Sequence, residues 1–263
     1  MTVETDSGAI ARGLPDITTE HGPFPVTGEL HITVMRKGDM YVINAPGYHN
    51  LRLNDSLLTI VSVHDIINSV VIGTMRDHIC LHSASFTIGG KSFIAVGDKK
   101  SGKTTLSCKL LLEKALIHSD EYALILDGEF VPFPKKIHIK EGTLDVLPEM
   151  RKICSSLTLY PSVFGWFFYF FSPTYVGSEW PISRGKADYL VYIDPVHEGP
   201  SSIEPCSEFT MFNKVMPQIH KFPEKSAGQV RRIGEFIQSA PCYTLRFGEP
   251  KGIADLLRSI IHG

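Results

Sequence analysis

The sequence has no CxxC pair, and its five cysteines (Cys80, Cys108, Cys154, Cys206 and Cys242) are scattered and odd in number. That spacing argues against a zinc site or a disulfide framework and predicts reduced thiols in a cytoplasmic compartment. Neither sign of charge dominates: 26 Lys and Arg against 28 Asp and Glu leave a formal net charge of −2. No broad basic field therefore points to nucleic acid or to an anionic membrane as a partner. The most apolar run, FGWFFYFF from Phe164 to Phe171, falls far short of the ~20 residues that span a bilayer. It reads as core packing or as a subunit or peptide interface, because aromatic side chains bury large areas. The chain opens without a signal-peptide pattern and contains no internal repeat or low-complexity tract. An LSGGQ-like transporter signature is missing, and so is an NKxD guanine-reading motif, since Asn213-Lys214 is followed by Val215-Met216.

What remains is the composition of an ordinary soluble globular protein, with 43% hydrophobic and 21% charged residues in 263. The polar, acidic start is expected to be a flexible lead over 1–25, with little to bury. Alternating apolar and polar residues from Glu29 to Ser62, punctuated by Lys37-Gly38-Asp39, Ala45-Pro46-Gly47 and Asn54-Asp55, predict about four strands. Ile66, Ile67, Val70, Val71 and Met75 then recur at helical spacing. Residues 26–75 thus form an expected β-rich subregion ahead of a core at 76–263. Two apolar strands joined at Gly89-Gly90-Lys91 predict a hairpin. A leucine-rich helix from Lys103, a strand ending near Asp120, and a buried strand in KADYLVYIDP follow, and the C-terminal stretch from Arg231 reads helix, strand, helix. The fold class predicted is α/β, a mixed sheet around a phosphate-loop core.

That core is marked by Gly97-Asp98-Lys99-Lys100-Ser101-Gly102-Lys103-Thr104, which fits G-x-x-x-x-G-K-[ST] between an apolar strand and an amphipathic helix. Glycines let the backbone wrap a di- or triphosphate with N–H groups inward, and the helix N-terminus adds positive potential. Lys103 is expected near the β/γ-phosphates and the Thr104 hydroxyl at a Mg²⁺ ion, with Thr105 closing the nucleotide-binding stretch. Lys99 and Lys100 add charge, as phosphate contacts or as solvated turn lysines. Asp120 and Glu121, closing the next strand, supply carboxylates that can organise Mg²⁺, position water, or accept a hydroxyl proton. His82 lies on the strand before the hairpin, where a satisfied core histidine is the plainer reading.

His82, the GDKKSGKTT stretch and Ser119-Asp120-Glu121 together resemble the HPr kinase/phosphorylase superfamily. The LHSAS and GKTTLS stretches are also similar to ATP-dependent phosphoenolpyruvate carboxykinase, a much longer enzyme. A nearer likeness is to stand-alone HPr-kinase-like proteins, some of which accompany lasso peptide biosynthesis and phosphorylate a precursor serine; Pro241 to Gly248 (PCYTLRFG) matches their C-terminal stretch. The resemblance implies ATP and Mg²⁺ as cofactors, Asp120 as general base toward an acceptor hydroxyl, Glu121 with Thr104 as Mg²⁺ ligands, and His82 near metal and phosphates. Glu121 stands where most of that family has a second aspartate. Charge on a transferring phosphate needs a further cation, for which Arg184, Lys186, Lys135 and Lys136 are the candidates. The expected partner is a peptide or protein substrate, with a homo-oligomer as a further possibility. An ATP hydrolase driving a conformational change and a non-catalytic nucleotide sensor remain alternatives, as does free serine as acceptor.

Overall fold

The computed structural model describes residues 1–19, 29–75, 77–221 and 228–262, with the side chains of His197, Lys221 and His262 left aside. Those residues fall into two compact units: Met1–Met75 with His138–Glu141 and Ser156–Phe170, and Arg76–Ile137 with Gly142–Ser155 and Phe171–Gly263.

In the first unit the chain starts as a strand, β1 (Thr2–Thr5), and a helix, α1 (Gly8–Ile17). The expected flexible lead is therefore corrected over its described part; residues 20–25 lie outside the described residues. The reason is burial: Ile10 and Ile17 enter the core, Ser7 caps α1, and β1 pairs in parallel with β2 (His31–Lys37). Strands β3 (Met40–Ala45) and β4 (Tyr48–Leu53) complete a four-stranded sheet in the order β1-β2-β3-β4. A fourth meander strand does not form. Asp55 instead accepts a hydrogen bond from Leu58 N at 2.7 Å, and α2 (Ser56–Thr74) runs 19 residues from that cap. By length and composition α2 could cross a membrane; here it buries Ile60, Val61, Val63 and Ile66 against α1 and the sheet. Gly13 of α1 is required for that packing, because a Cβ there would lie 2.2 Å from Ile60 Cδ1.

In the second unit β5 (Ile79–Ile88) and β6 (Lys91–Val96) form the expected hairpin, with Gly89 and Gly90 both at positive φ as its turn needs. Helix α3 (Lys103–Leu112), strands β7 (Leu116–Ser119), β8 (Tyr122–Leu126) and β9 (Glu129–Pro132) follow. Next come α4 (Glu141–Val146) and α5 (Pro148–Cys154), between strands that fall mostly in the first unit: β10 (Ile137–Lys140), β11 (Leu159–Pro161) and β12 (Phe167–Phe171). The order β10-β12-β11 makes a small separate sheet. The expected uninterrupted core over 76–263 does not hold, because Tyr160, Phe168 and Phe170 belong to the first unit's hydrophobic core. The aromatic run splits by strand alternation: Phe168 and Phe170 are buried, while Phe167 is 56% and the turn residue Phe164 81% exposed.

The chain returns through β13 (Tyr189–Pro200), β14 (Ser202–Pro205), α6 (Glu208–Val215), β15 (Ile219–Lys221), α7 (Gln229–Gln238), β16 (Cys242–Glu249) and α8 (Ile253–His262). A nine-stranded mixed sheet results, ordered β14-β16-β13-β6-β5-β8-β9, with β7 and β15 also paired to β5. Strands β6, β13 and β16 run parallel, as the apolar run in β13 implies, while β5 is antiparallel to β6, β7 and β8. Met211 and Val215 of α6 and Ile233, Phe236 and Ile237 of α7 close one core against Ile79, Leu81, Ile94 and Leu190. The protein is thus α/β with mixed sheets.

Gly248 in β16 marks the tightest backbone approach, since a Cβ there would lie 2.3 Å from the Gly199 carbonyl oxygen. Gly248→Ala is expected to destabilise the protein by about 2 kcal/mol through overpacking. Gly234→Ala, in α7 with nothing within 4 Å of the added carbon, is expected to stabilise it by ~1 kcal/mol from helix propensity. Urea denaturation of both variants checks the pair, and the same sign for both would refute the reading of Gly248.

Candidate functional site

Strand β6 ends at Val96, opposite Ser83 of β5, and hands the chain to the glycine-flanked loop. Gly97 cannot carry a side chain, because its Cβ would lie 2.4 Å from Ser101 Oγ and 3.1 Å from the Ile193 carbonyl. Gly102 adopts φ +95°, and a Cβ there would meet the Phe247 ring at 2.8 Å. Ser101 N closes the loop on the Asp98 carbonyl at 3.1 Å. Helix α3 starts at Lys103 with no side-chain cap, so its first N–H groups and its dipole face the loop. The Lys103 ammonium donates to the carbonyls of Gly97 at 2.6 Å and Asp98 at 3.0 Å. Burial pushes its pKa down to about 8, against the pull of Asp120, Asp98 and Glu121.

On the other side of β5, β7 and β8 continue one antiparallel line, broken at Asp120-Glu121. Ser83 N donates to the Glu121 carbonyl at 2.9 Å, which sets the two acids level with the end of β6. Asp120 is buried; its Oδ2 accepts from the Thr104 hydroxyl at 2.9 Å, and its Oδ1 has no partner. Burial first and the Glu121 charge second raise its pKa to about 7, with the Thr104 bond and Lys135 working the other way. Glu121 forms an ion pair with Lys135, itself buried and 5.8 Å from the Tyr122 ring centroid. His82 adjoins this group, its ring 6.1 Å from that of Tyr122, which lies 5.1 Å from the ring of His220. Burial and then the Lys103 charge lower the His82 pKa to about 4, so the imidazole is neutral at physiological pH.

The structure therefore brings together the loop, Lys103, Thr104, Asp120, Glu121 and His82, and adds Lys135 from the PKK stretch. Lys99 and Lys100 are exposed, and Thr105 shares a 3.3 Å hydrogen bond with Thr143. Lys136 donates to the Tyr175 hydroxyl at 2.9 Å. The clamp expected of Arg184 and Lys186 does not form. Because β13 runs parallel to β6, the segment entering β13 lies at the amino end of β6, while the loop leaves its carboxyl end. Arg184 instead pairs with Glu129 at 2.5 Å, and the Lys186 carbonyl accepts from Ser92 Oγ at 2.7 Å. Ser92 precedes Gly97 by about five residues of strand, roughly 16 Å. Sequence reading missed two further side chains, Gln218 and Tyr192, which hold Asp98 from 120 and 94 positions away. No local signal marks either.

Among the described residues no group of three or more His, Cys, Asp and Glu side chains is arranged to hold a metal alone. The donor set here is a hydroxyl and one or two carboxylates, the kind Mg²⁺ takes when phosphate oxygens and water complete its shell. The buried, unpartnered Asp120 Oδ1 adds negative charge beside that donor set, which a cation would offset.

No family model matches the sequence, and no curated protein matches it. Among solved structures, the Hpr(Ser) kinase/phosphatase from Coxiella burnetii is similar over 70% of this chain and 99% of its own, with 10% identity and a TM-score of 0.32. Likeness at that level says nothing of chemistry, which rests on the side chains themselves.

An acid whose pKa is raised on folding binds protons more tightly folded than unfolded, so it costs stability as pH climbs from its usual value, 3.8, to about 7. The full cost is present above pH 7. Asp120→Asn keeps an acceptor for Thr104 and removes the charge. In buffer free of metal and nucleotide its Tm at pH 8 should exceed that of the wild type by on the order of 5 °C, the gap closing toward pH 4. Thermal melts across that range check it, and a gap that widens in acid would refute the buried-carboxylate reading.

Proposed function

We propose that this protein is a Mg²⁺- and ATP-dependent phosphotransferase that phosphorylates a serine hydroxyl on a peptide or protein. The single observation that carries the reading is Asp120: a buried carboxylate level with a phosphate loop, one oxygen held by Thr104, the other free, and its pKa near 7. A base of that strength suits proton abstraction at neutral pH.

In this reading the loop N–H groups and the α3 N-terminus hold the β- and γ-phosphates. Lys103 exchanges its two carbonyl partners for phosphate oxygens. Thr104 and Glu121 would hold Mg²⁺ with Asp120 adjoining, and the ion would offset the charge on the phosphates. Asp120 Oδ1 takes the acceptor proton as the serine oxygen bonds to the γ-phosphorus and the bond from that phosphorus to the bridging oxygen breaks, leaving ADP. Lys135 lies at the acid end of the site as a second cation. His82, kept neutral, accepts or donates a hydrogen bond without adding charge.

A serine-bearing precursor of a ribosomal natural product is the acceptor we favour, supported by the sequence resemblance. Five cysteines outside any disulfide support a reducing, cytoplasmic setting, and exposed Phe164 and Phe167 support contact with a peptide or a second subunit.

Intact mass spectrometry of candidate acceptors (serine-containing precursor peptides, HPr and free serine) after incubation with Mg²⁺ and ATP tests the reading. One acceptor should gain one phosphate, with the rate falling roughly a hundredfold or more in Asp120→Asn and Lys103→Ala. Inorganic phosphate released equally with and without every acceptor would make the protein a hydrolase and refute the transfer reading.

A further inference from the structure

Asp98 is the second residue of the loop and carries the same sign of charge as the phosphates the loop is shaped to take. Left free, its carboxylate would repel a di- or triphosphate at close range. It is not free. Oδ1 accepts from the Gln218 side-chain amide at 2.7 Å, and Oδ2 from the Tyr192 hydroxyl at 3.3 Å. The amide nitrogen must face Asp98, because the flipped amide would set oxygen against carboxylate.

Both partners are tied to the sheet. Tyr192 lies on β13 in register with Val96, the last residue before the loop, and the Lys214 ammonium of α6 sits 4.5 Å over its ring. Gln218 is buried and ends the short 3-10 turn Met216–Gln218, after which Ile219 pairs with Leu81, the residue before His82. The backbone of Asp98 is committed as well: its carbonyl receives Ser101 N and the Lys103 ammonium. The side chain is thus anchored on Gln218 and Tyr192, while the carbonyl of the same residue holds the Lys103 ammonium.

We propose that Gln218 and Tyr192 are positioning residues of the nucleotide site, holding the Asp98 carboxylate out of the phosphate cradle and fixing the loop conformation that presents Lys103. The inference rests on the nucleotide reading above and adds residues that the phosphate-loop motif does not include.

Titration calorimetry with Mg²⁺-ADP separates the two claims, using wild type, Gln218→Leu, Gln218→Met, Asp98→Asn and the Asp98→Asn/Gln218→Leu double variant. Thermal melts are run beside each to confirm folding. Both Gln218 variants are expected to bind ADP about tenfold more weakly than wild type. That loss should shrink at high salt. It should also largely vanish in the Asp98→Asn background, where no charge remains to be held off. Tyr192→Phe should show a smaller loss of the same kind. An equal tenfold loss in both backgrounds would reduce Gln218 to a packing residue and overturn the proposal. No loss in folded Gln218 variants would overturn it too. Wild type that takes up no ADP would instead overturn the nucleotide reading itself, an outcome visible before any variant is made.

Discussion

The candidate site depends on the register of β5. At Ser83 this strand is paired on both sides at once, to Val96 of β6 and, through its N–H, to the Glu121 carbonyl at the break between β7 and β8. One backbone level therefore carries the start of the glycine-flanked loop and the two acids, with His82 one residue earlier. A slip of one residue would turn every side chain of β5 to the other face and break this alignment. The register is pinned by the glycine hairpin at one end and by burial of Ile79, Leu81, Phe86 and Ile88 along the strand. Packing far from the chemistry thus decides where the chemistry stands.

Onto that frame the fold places two desolvated charges of opposite sign, the Asp120 carboxylate and the Lys103 ammonium. Asp120 raises the Lys103 pKa, yet each group spends its hydrogen bonds elsewhere, on Thr104 and on the Gly97 and Asp98 carbonyls. Burial shifts both toward neutrality, to about 7 and about 8. Neither shift helps the empty protein. A polyanion and a cation bound as proposed would replace that lost hydration with ligand contacts.

Much of this arrangement was legible because its determinants are local. The loop, the helix that leaves it, the double-glycine hairpin and the acids after β7 are each written within a few residues of one another. So was the buried strand β13, whose apolar run in YLVYI needs no distant partner to be read. What failed was non-local. The polar lead orders because Ile10 and Ile17 meet a sheet and helix laid down later, and α2 begins at Ser56 because the Asp55 cap outweighs an alternating pattern. Arg184 and Lys186 stand near β13 in sequence, but strand direction, which composition does not encode, sends them to the far end of the sheet. Gln218 and Tyr192 had no signature at all, being ordinary residues that a fold carries to Asp98.

The two adjacent acids show how neighbouring residues can take different work. Glu121 is engaged by Lys135, whereas Asp120 keeps one oxygen unpartnered. The longer side chain matters, because Glu121 can reach a lysine that leaves the sheet after β9 while its backbone stays paired to Ser83. Burial and the Glu121 charge both raise the Asp120 pKa, and Lys135 opposes them. The lysine pairs with Glu121 and acts on Asp120 directly, in the direction that keeps its carboxylate ionised. Burial therefore sets the state of Asp120 first, and Glu121 and Lys135 then move it in opposite directions.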